Sequence, residues 1–308
     1  MIGVAVVIAG ALDATVGEPA DRWHPVAWLG RAIEALDRDW PRPRLAGIGV
    51  AGVIVGLAAG VAAGVTRLGS AIAPPIGVAV AGLVLWVSIS RRDLFAVARD
   101  RLSASDDAAL DALVGRPTAD LDAAHRRSAI VESVAENVAD GLVGPLAGFL
   151  VGAVHSPAAA AAGTAAMTAV DALDATIGYP DRPLGWASAR ADDWLAVVPA
   201  RLTAGAIAIA AADPGAIGRA SATARRPASP NSGWPMATLA AVVGIALEKP
   251  GAYRVGTGPL PDTVAVGRAL AVLNRAAWLS IVAAVLLGAL VGVAGHEVSA
   301  AIATGVLG

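Results

Sequence analysis

Long apolar runs rich in Gly, Ala and Val alternate along the chain with short polar segments. Residues 46–66, 71–89 and 277–294 form three clear apolar runs, each close to the roughly 20 residues that a helix needs to cross a bilayer. Residues 2–12 form a shorter run without the basic start of a signal peptide, and we expect a retained first helix that contains Asp13. This pattern predicts an all-α, polytopic helical integral membrane protein.

The middle of the chain does not divide into simple spans. Residues 141–170 are apolar but broken at residues 155–157, and the run is too short for two full crossings. Residues 195–212 contain Arg201, and residues 236–247 are too short to cross alone. Interrupted apolar segments are tolerated in a membrane only where they are buried in protein or line a wet cavity. We therefore expect re-entrant or broken helices around a polar cavity, with a helical pair at the break near residue 157.

The composition agrees with a membrane protein. Hydrophobic residues make up 56% of the chain and charged residues 16%, with a mean hydropathy of +0.65, whereas soluble domains carry about 25% charged residues. The net charge of −2 gives no case for nucleic-acid binding. Because the chain has no cysteine, disulfides, thiolate catalysis and cysteine-ligated metals are excluded. No linker or repeat divides the sequence, so we predict one integral membrane domain over residues 1–308.

Arginines indicate how the first three helices cross the membrane. The arginine-rich segments are residues 17–46, with Arg22, Arg31, Arg38, Arg42 and Arg44, and residues 90–128, with Arg91, Arg92, Arg99, Arg101, Arg116, Arg126 and Arg127. The connection between the apolar runs 46–66 and 71–89 holds only Arg67. Basic loops favour the cytoplasmic side, so both rich segments are predicted to be cytoplasmic and the N-terminus external.

The chain contains no P-loop sequence, although its polar segments are rich in arginine and acidic residues. A nucleotide would therefore have to be held by arginines and a carboxylate-bound metal ion.

Four polar segments stand out, which we number in chain order as residues 13–31, 129–146, 171–203 and 226–235. The first segment contains His24 before Pro25, a candidate metal ligand, but an ordinary loop leading into an interfacial amphipathic helix explains it equally well. The fourth segment has three prolines and a glycine, which predict a rigid turn or a plain surface loop.

The second polar segment carries a stripe of carboxylates. Glu132, Glu136 and Asp140 recur at i, i+4 and i+8, so on a helix they share one face and repel each other. A divalent cation or an arginine cluster would compensate the repulsion. The alternative is a solvated helix face, although the opposite face is apolar and an apolar run comes directly after it.

The third polar segment places charges close to, or within, apolar runs. Asp171 and Asp174 share a helix face at i, i+3, Arg190 has the same spacing to Asp193, and Arg201 lies within an apolar run. Charges in such positions are costly and usually functional. The alternative is an internal ion-pair network that only holds helices together.

Taken together, these segments resemble the CobD/CbiB proteins of cobalamin biosynthesis. The resemblance is carried by seven stretches in the family's order, namely Gly17–Arg31, Gly115–Asp122, Val131–Leu146, Leu173–Tyr179, Gly185–Asp193, Pro199–Thr203 and Ser229–Ala237. The most specific strings are Glu132-Ser-Val-Ala-Glu-Asn-Val-Ala-Asp-Gly141 and Ser229-Pro-Asn-Ser-Gly-Trp-Pro235.

The resemblance implies an ATP-dependent amide ligase in the cytoplasmic membrane. It would join (R)-1-amino-2-propanol, or its O-phosphate, to the propionate carboxyl of adenosylcobyric acid, with ATP and Mg²⁺ required. Further expected partners are the lipid bilayer and either a second copy of the chain or another membrane enzyme of the pathway.

The resemblance marks the positions of the candidate site residues, and their charge type suggests the roles. The catalytic candidates are Glu132, Glu136, Asp140, Asp192 and Asp193. The substrate-binding candidates are His24, Arg31, Asn137, Tyr179, Arg190, Arg201, Ser229, Asn231 and Trp234. The metal-binding candidates are Glu132, Glu136, Asp140, Asp171 and Asp174. Because ATP is cytoplasmic, we expect all four polar segments to meet at the cytoplasmic face.

Other classes of membrane protein also use carboxylates of this kind. A transporter with an ion relay is the main alternative. A Mg²⁺-dependent intramembrane transferase would use a pair such as Asp171 and Asp174, but the aspartate spacing of CDP-alcohol enzymes is absent after Asp140-Gly141. A non-catalytic membrane sensor would not need the charged motifs.

Overall fold

The computed structural model describes residues 1–103, 107–114, 118–179 and 181–303, with side chains except at 103, 107–109, 112 and 294–303. Arg116 of the second arginine-rich segment and the start of the family stretch Gly115–Asp122 thus lie outside the described residues. The helices are α1 (Ile2–Thr15), α2 (Pro25–Leu36), α3 (Pro43–Ile72), α4 (Pro74–Trp86), α5 (Arg91–Ser103), α6 (Asp107–Val114), α7 (Ala123–Val138), α8 (Gly144–Ala153), α9 (Pro157–Ile177), α10 (Trp186–Leu195), α11 (Val197–Ala210), α12 (Ala216–Ala220), α13 (Gly233–Val243) and α14 (Thr263–Ala303). A π-helical turn (Ala139–Val143) joins α7 to α8, a 3-10 turn (Pro183–Gly185) precedes α10, and strands β1 (Ala246–Lys249) and β2 (Tyr253–Gly256) pair as an antiparallel hairpin.

Several helices are long and apolar enough to cross a membrane, which confirms the predicted fold class. Within the described ranges the candidate spans are Pro43–Ile72, Pro74–Leu102, Ala123–Ala153 and Thr263–Val293. A further pair, Pro183–Leu195 and Val197–Ala210, is bent by 45° and counts as a fifth span if it crosses as one. The chain is therefore a helical membrane protein with at least one broken helix.

The described residues form two compact units, each built from separate stretches of chain. The first unit comprises residues 1–89, 144–192 and those from 281 onward, and the second comprises residues 90–143 and 193–280. Because these stretches interleave along the sequence, no linker separates the two units. The single integral membrane domain over residues 1–308 stays a prediction.

The first unit is a packed group of apolar helices. In it α9 packs against α3, α4 and α8, and α1 packs on α4. The buried side chains of Ile33, Leu173 and Ile177 belong to one core cluster between α2, α3 and α9. Asp13 lies within α1, as predicted, and its side chain is buried at 2% exposure.

Glycines bring α8 and α9 into backbone contact. A Cβ on Gly148 would lie 2.4 Å from the carbonyl oxygen of Gly163, and a Cβ on Gly152 would lie 2.0 Å from that of Ala159. Small residues permit such close helix approach in membranes. The two helices separate at residues 154–156, where Ser156 caps α9. The predicted helical pair around this break is confirmed.

The cap at Ser156 should contribute measurably to stability. Its Oγ accepts the backbone N–H of Ala159 at 3.0 Å, so Ser156→Ala is expected to cost about 0.5–2 kcal/mol of unfolding free energy. Thermal unfolding of the purified protein in detergent measures the change. Thr176→Ala is a matched control in the same helix, because the Thr176 hydroxyl only bonds back to Ala172 and its loss should be nearly neutral. Equal melting temperatures for Ser156→Ala and wild type would contradict the capping role.

Two predicted boundaries are wrong. The second apolar helix runs on to Ile72, so it contains Arg67, and the connection to α4 is Ala73. Pro74 then starts α4, since its fixed φ and missing N–H suit the first turn of a helix. At the other end of the chain, α14 begins at Thr263 rather than near residue 277. Sequence hydropathy misses this first part because it contains polar residues such as Asn274, which accepts a hydrogen bond from Arg91 at 2.8 Å.

The second unit contains the only strands in the part of the chain that the structure describes. It combines α5, α6, α7, α11, α12 and α13 with the hairpin, and β1 packs against α7. The sequence predicts helices alone, with residues 236–247 as a short apolar segment. The helix α13 ends instead at Gly244, whose left-handed φ of +76° stops the helix and turns the chain into β1.

Candidate functional site

One face of α7 forms a wall of a polar cavity in the second unit. The cavity has a volume of about 230 Å³ and is lined by Val114, Ala129, Glu132, Ser133, Glu136, Pro227, Ala228, Ser229, Ser232, Lys249 and Tyr253. Its α7 members are spaced at i, i+3, i+4 and i+7, the repeat of a single helix face. Asp122 caps the start of α7, and its hydrogen bond from the backbone N–H of His125 holds the pKa of that carboxyl below its usual value.

Glu132 is buried and held by two hydroxyl groups. The residue is only 4% exposed to solvent. Ser128 Oγ donates to Oε1 at 2.7 Å, and Tyr253 Oη donates to Oε2 at 2.8 Å. Ser128 in turn accepts the backbone N–H of Glu248 at 2.7 Å, which directs the serine proton toward Glu132. A buried carboxylate needs such donors, and here they fix its orientation toward the cavity.

The β-hairpin supplies part of this arrangement. Lys249 and Tyr253 are cross-strand partners, so their side chains lie on the same face of the hairpin, and both line the cavity. Gly251 has a φ of +74°, which the tight connection requires. On the same face, Leu247 and Val255 are fully buried, so apolar packing holds the hairpin in place.

Sequence reasoning missed three contributors to this site, which are Ser128, Lys249 and Tyr253. Two signals could have found the hairpin residues. Pro250-Gly251 is a strong turn dipeptide, and Lys249 is the only lysine in the chain. Ser128 precedes Glu132 by one helical turn, a spacing at which side chains interact, but nothing in the sequence singles it out.

The fourth polar segment folds as a hydrogen-bonded turn beside Arg201. Ser229 Oγ accepts the backbone N–H of Asn231 at 3.2 Å. Asn231 is 3% exposed, accepts a hydrogen bond from Arg201 and donates to the backbone oxygen of Asp193 at 2.7 Å. The Arg201 guanidinium also stacks 5.2 Å from the ring centre of Trp234. The structure thus brings together five of the predicted site residues, with Asp193 taking part through its backbone oxygen. Of the predicted residues in the fourth polar segment, only Ser229 lines the cavity.

The α7 stripe does not continue as a regular helix. Glu132 and Glu136 both line the cavity, but a π-helical turn starts at Ala139 and includes Asp140. The extra residue in a π turn rotates the residues after it, and such turns occur often at functional sites. Asp140 is not among the residues that line the cavity, and its place on the predicted i, i+4, i+8 face stays a prediction. Asn137 is exposed, and its side-chain amide donates to the backbone oxygen of Ser133 at 2.9 Å.

The remaining predicted residues lie in the first unit. Asp171 and Asp192 are close enough to interact electrostatically. The side chain of Asp174 packs over the backbone of Gly178. A Cβ added to Gly178 would lie 1.9 Å from Asp174 Oδ1. Tyr179 and Arg190 are exposed, as is Arg31 on α2. The expectation that all four polar segments share one cavity stays a prediction.

His24 has a structural role at the start of α2. Its Nδ1 accepts the backbone N–H of Val26 at 3.2 Å and so caps the helix. Burial lowers the pKa of the imidazole, which favours the neutral ring that this acceptor role requires. An acidic oxygen of Glu18 lies 3.7 Å from Nε2, too far for a hydrogen bond. The predicted role of His24 in substrate binding stays a prediction.

The described side chains contain no group of three or more His, Asp or Glu residues placed to hold a metal ion. Mg²⁺ often takes only one or two protein carboxylates and completes its shell with water and substrate phosphates. The paired placement of Glu132 and Glu136 on one wall fits that smaller requirement. The five metal-binding candidates therefore stay predictions.

Comparisons with known proteins agree on one family. A family model described as "CobD/Cbib protein" matches residues 6–280. The chain is 34% identical over 297 residues to the cobalamin biosynthesis protein CobD of Geobacter metallireducens, with 90% of each chain covered. It is 33% identical over 266 residues to a probable CobD of Methanothermobacter thermautotrophicus, covering 81% of this chain and 85% of the relative. It is 36% identical over 271 residues to CobD of Klebsiella pneumoniae, covering 80% and 82%. No solved structure gives a significant match.

Proposed function

Because the chain belongs to the CobD/CbiB family of cobalamin biosynthesis proteins, we propose that it is an ATP-dependent amide ligase of the membrane. The reaction joins (R)-1-amino-2-propanol, or its O-phosphate, to the propionate carboxyl of adenosylcobyric acid. The family assignment supports a role in cobalamin biosynthesis. The observation that supports an enzyme is Glu132, a buried carboxylate oriented by Ser128 and Tyr253 at the wall of a polar cavity.

The chemistry requires activation of the carboxylate before the amine attacks. Transfer of the γ-phosphoryl group of ATP to a carboxylate oxygen gives an acyl phosphate and ADP. The amine nitrogen then bonds to the carbonyl carbon, phosphate leaves, and one proton passes from nitrogen to a base. Such a reaction requires neutralisation of phosphate charge and a correctly placed proton acceptor.

Glu132 and Glu136 are suited to receive that proton, because both line the cavity and Glu132 is held in a fixed orientation. A general base acts through geometry first, within hydrogen-bond reach of the proton it takes. Mg²⁺, when bound, would neutralise the triphosphate and orient the transferred group. The candidates for holding it are Glu132, Glu136, Asp140, Asp171 and Asp174, with Arg190 and Arg201 proposed to bind phosphate or carboxylate oxygens.

We place the enzyme in the cytoplasmic membrane with its active site at the cytoplasmic face. The arginine-rich residues 17–46 and 90–128 support this orientation, and ATP is available on that side. The proposed partners are the two organic substrates, the lipid bilayer, and a second copy of the chain or another membrane enzyme of the pathway.

Reconstitution tests the proposal directly. The purified protein in detergent is incubated with adenosylcobyric acid, ATP, Mg²⁺ and either amine, and the corrinoid products are identified by mass spectrometry. We expect an amide product together with ADP and phosphate in equal amounts. Transport of a corrinoid into vesicles without any ligated product would contradict the ligase and favour the transporter. Omitting ATP is the control, and amide formation without it would contradict the acyl-phosphate route.

A further inference from the structure

We infer that the cavity on α7 is the binding site for the amine substrate and that Lys249 selects its O-phosphate. This inference rests on the proposed ligase function and deepens it, because the sequence leaves both forms of the amine open. The cavity offers carboxylates and a cation side by side, with Glu132 and Glu136 on α7 and Lys249 on the hairpin. An amino-alcohol phosphate carries the complementary pair of charges, an ammonium and a phosphate, on one short molecule.

The size of the cavity favours a small ligand. Its volume is about 230 Å³, whereas pockets for drug-sized ligands measure about 300–1,000 Å³. Neither a corrinoid nor a whole nucleotide fits inside such a space. A short amino alcohol and its phosphate do fit, and either one can be enclosed by walls from α7, the fourth polar segment and the hairpin.

The ammonium group of the amine substrate is assigned to the carboxylates of Glu132 and Glu136. Both oxygens of Glu132 already accept a hydrogen bond from a hydroxyl, but each carboxylate oxygen can accept more than one. Glu136 lies one helical turn further along the same wall and is only partly buried. This arrangement leaves the amine nitrogen next to Glu132, where the attacking nitrogen must give up its proton.

The phosphate end is assigned to Lys249, with hydroxyl groups beside it. Ser229 and Ser232 also line the cavity, and a phosphate accepts hydrogen bonds from both ammonium and hydroxyl donors. Lys249 is the only lysine of the chain, and its place on β1 opposite Tyr253 fixes where its stem begins. The unphosphorylated amine has no anionic group for Lys249 to bind.

The phosphates of ATP are the alternative ligand for Lys249, and the charges of the cavity argue against them. Two carboxylates in the same small cavity would repel a triphosphate that carries several negative charges. The amine phosphate, in contrast, neutralises both groups. The assignment also leaves Asp140, Asp171 and Asp174 as the remaining magnesium candidates.

Binding without turnover tests the inference. Calorimetry measures the affinity of the purified full chain in detergent for (R)-1-amino-2-propanol and for its O-phosphate. Lys249→Gln is expected to weaken binding of the phosphate ester about 10- to 100-fold, as loss of a charge-assisted contact does, and to leave the unphosphorylated amine unchanged. Lys249→Arg keeps the charge and should retain most of the affinity. Glu136→Gln should weaken both ligands, because both carry the ammonium.

The controls separate this inference from the ligase proposal. Arg268→Gln removes an exposed cation of α14 in the same unit and should change neither affinity. Equal effects of Lys249→Gln on both amines, or no effect on either, would overturn the inference, as would a raised KM for ATP with amine binding intact. A chain that binds the phosphate ester through Lys249 but forms no amide upholds this inference and overturns the proposed function.

Discussion

Replacing Glu132 by Gln is expected to lower kcat by about 10²- to 10⁴-fold, the contribution typical of a positioned general acid or base. Gln preserves the shape of the side chain but replaces one acceptor oxygen by a donor. Ser128 and Tyr253 both donate to the native carboxylate, so one of these bonds is lost in the variant. Single-turnover formation of the amide, monitored by mass spectrometry, measures the effect. Glu136→Gln and Asp140→Asn are also expected to abolish most activity.

A structural defect must be distinguished from a chemical one in these variants. Asp213→Asn is the matched control, because Asp213 is a carboxylate of the same unit that pairs with Arg219 away from the cavity. We expect wild-type rates from it. Tyr253→Phe tests the orientation of Glu132 separately and should lower kcat less than Glu132→Gln does. Near-normal rates in all three stripe variants would refute the catalytic role of the stripe.

Substitution of Gly152 by Ala is expected to lower stability more than the loss of the Ser156 cap does. The added Cβ would lie 2.0 Å from the backbone oxygen of Ala159 and 2.6 Å from the nitrogen of Ala160. Backbone atoms cannot turn away as a side chain can, so α8 and α9 must move apart. Overpacking costs about 1–3 kcal/mol where neighbours can relax, and we expect the upper end of that range. The melting temperature of the purified protein in detergent measures the loss.

Gly56 of α3 provides the control. No atom lies within 4 Å of a Cβ placed on Gly56, so Gly56→Ala adds a methyl group without a clash and removes a residue that disfavours helices. Its melting temperature should equal or exceed that of wild type. If Gly152→Ala and Gly56→Ala melted at the same temperature, the close contact between α8 and α9 would be contradicted.

The membrane helices were predictable because the bilayer restricts which structures can span it. Apolar runs must satisfy their own backbone hydrogen bonds and therefore form helices, so hydropathy was sufficient to predict α1, α3 and α4, as well as the helix break at Ser156. Polar positions inside a helix obscured the start of α14. There Asn274 and Trp278 interact with Arg91, a partner that hydropathy along the sequence does not reveal.

The site was only partly predictable. The spacing of Glu132 and Glu136 was sufficient to place them on one helix face, because helical periodicity is local. The π turn at Asp140 and the hairpin were not predicted. Strands of four residues carry little periodic signal, and the pairing of Tyr253 with Glu132 joins positions 121 residues apart. Contacts of that separation depend on tertiary packing, which a single sequence does not display.

Because Glu132 and Tyr253 lie 121 residues apart, the ribosome makes the two halves of this contact at different times. Translation completes α7, with Glu132, long before the ribosome reaches the hairpin that carries Lys249 and Tyr253. Until then the nascent chain has neither the tyrosine that orients the carboxylate nor the lysine that lines the same cavity. A product of premature termination before residue 246 would insert most of its apolar helices and still lack a complete cavity.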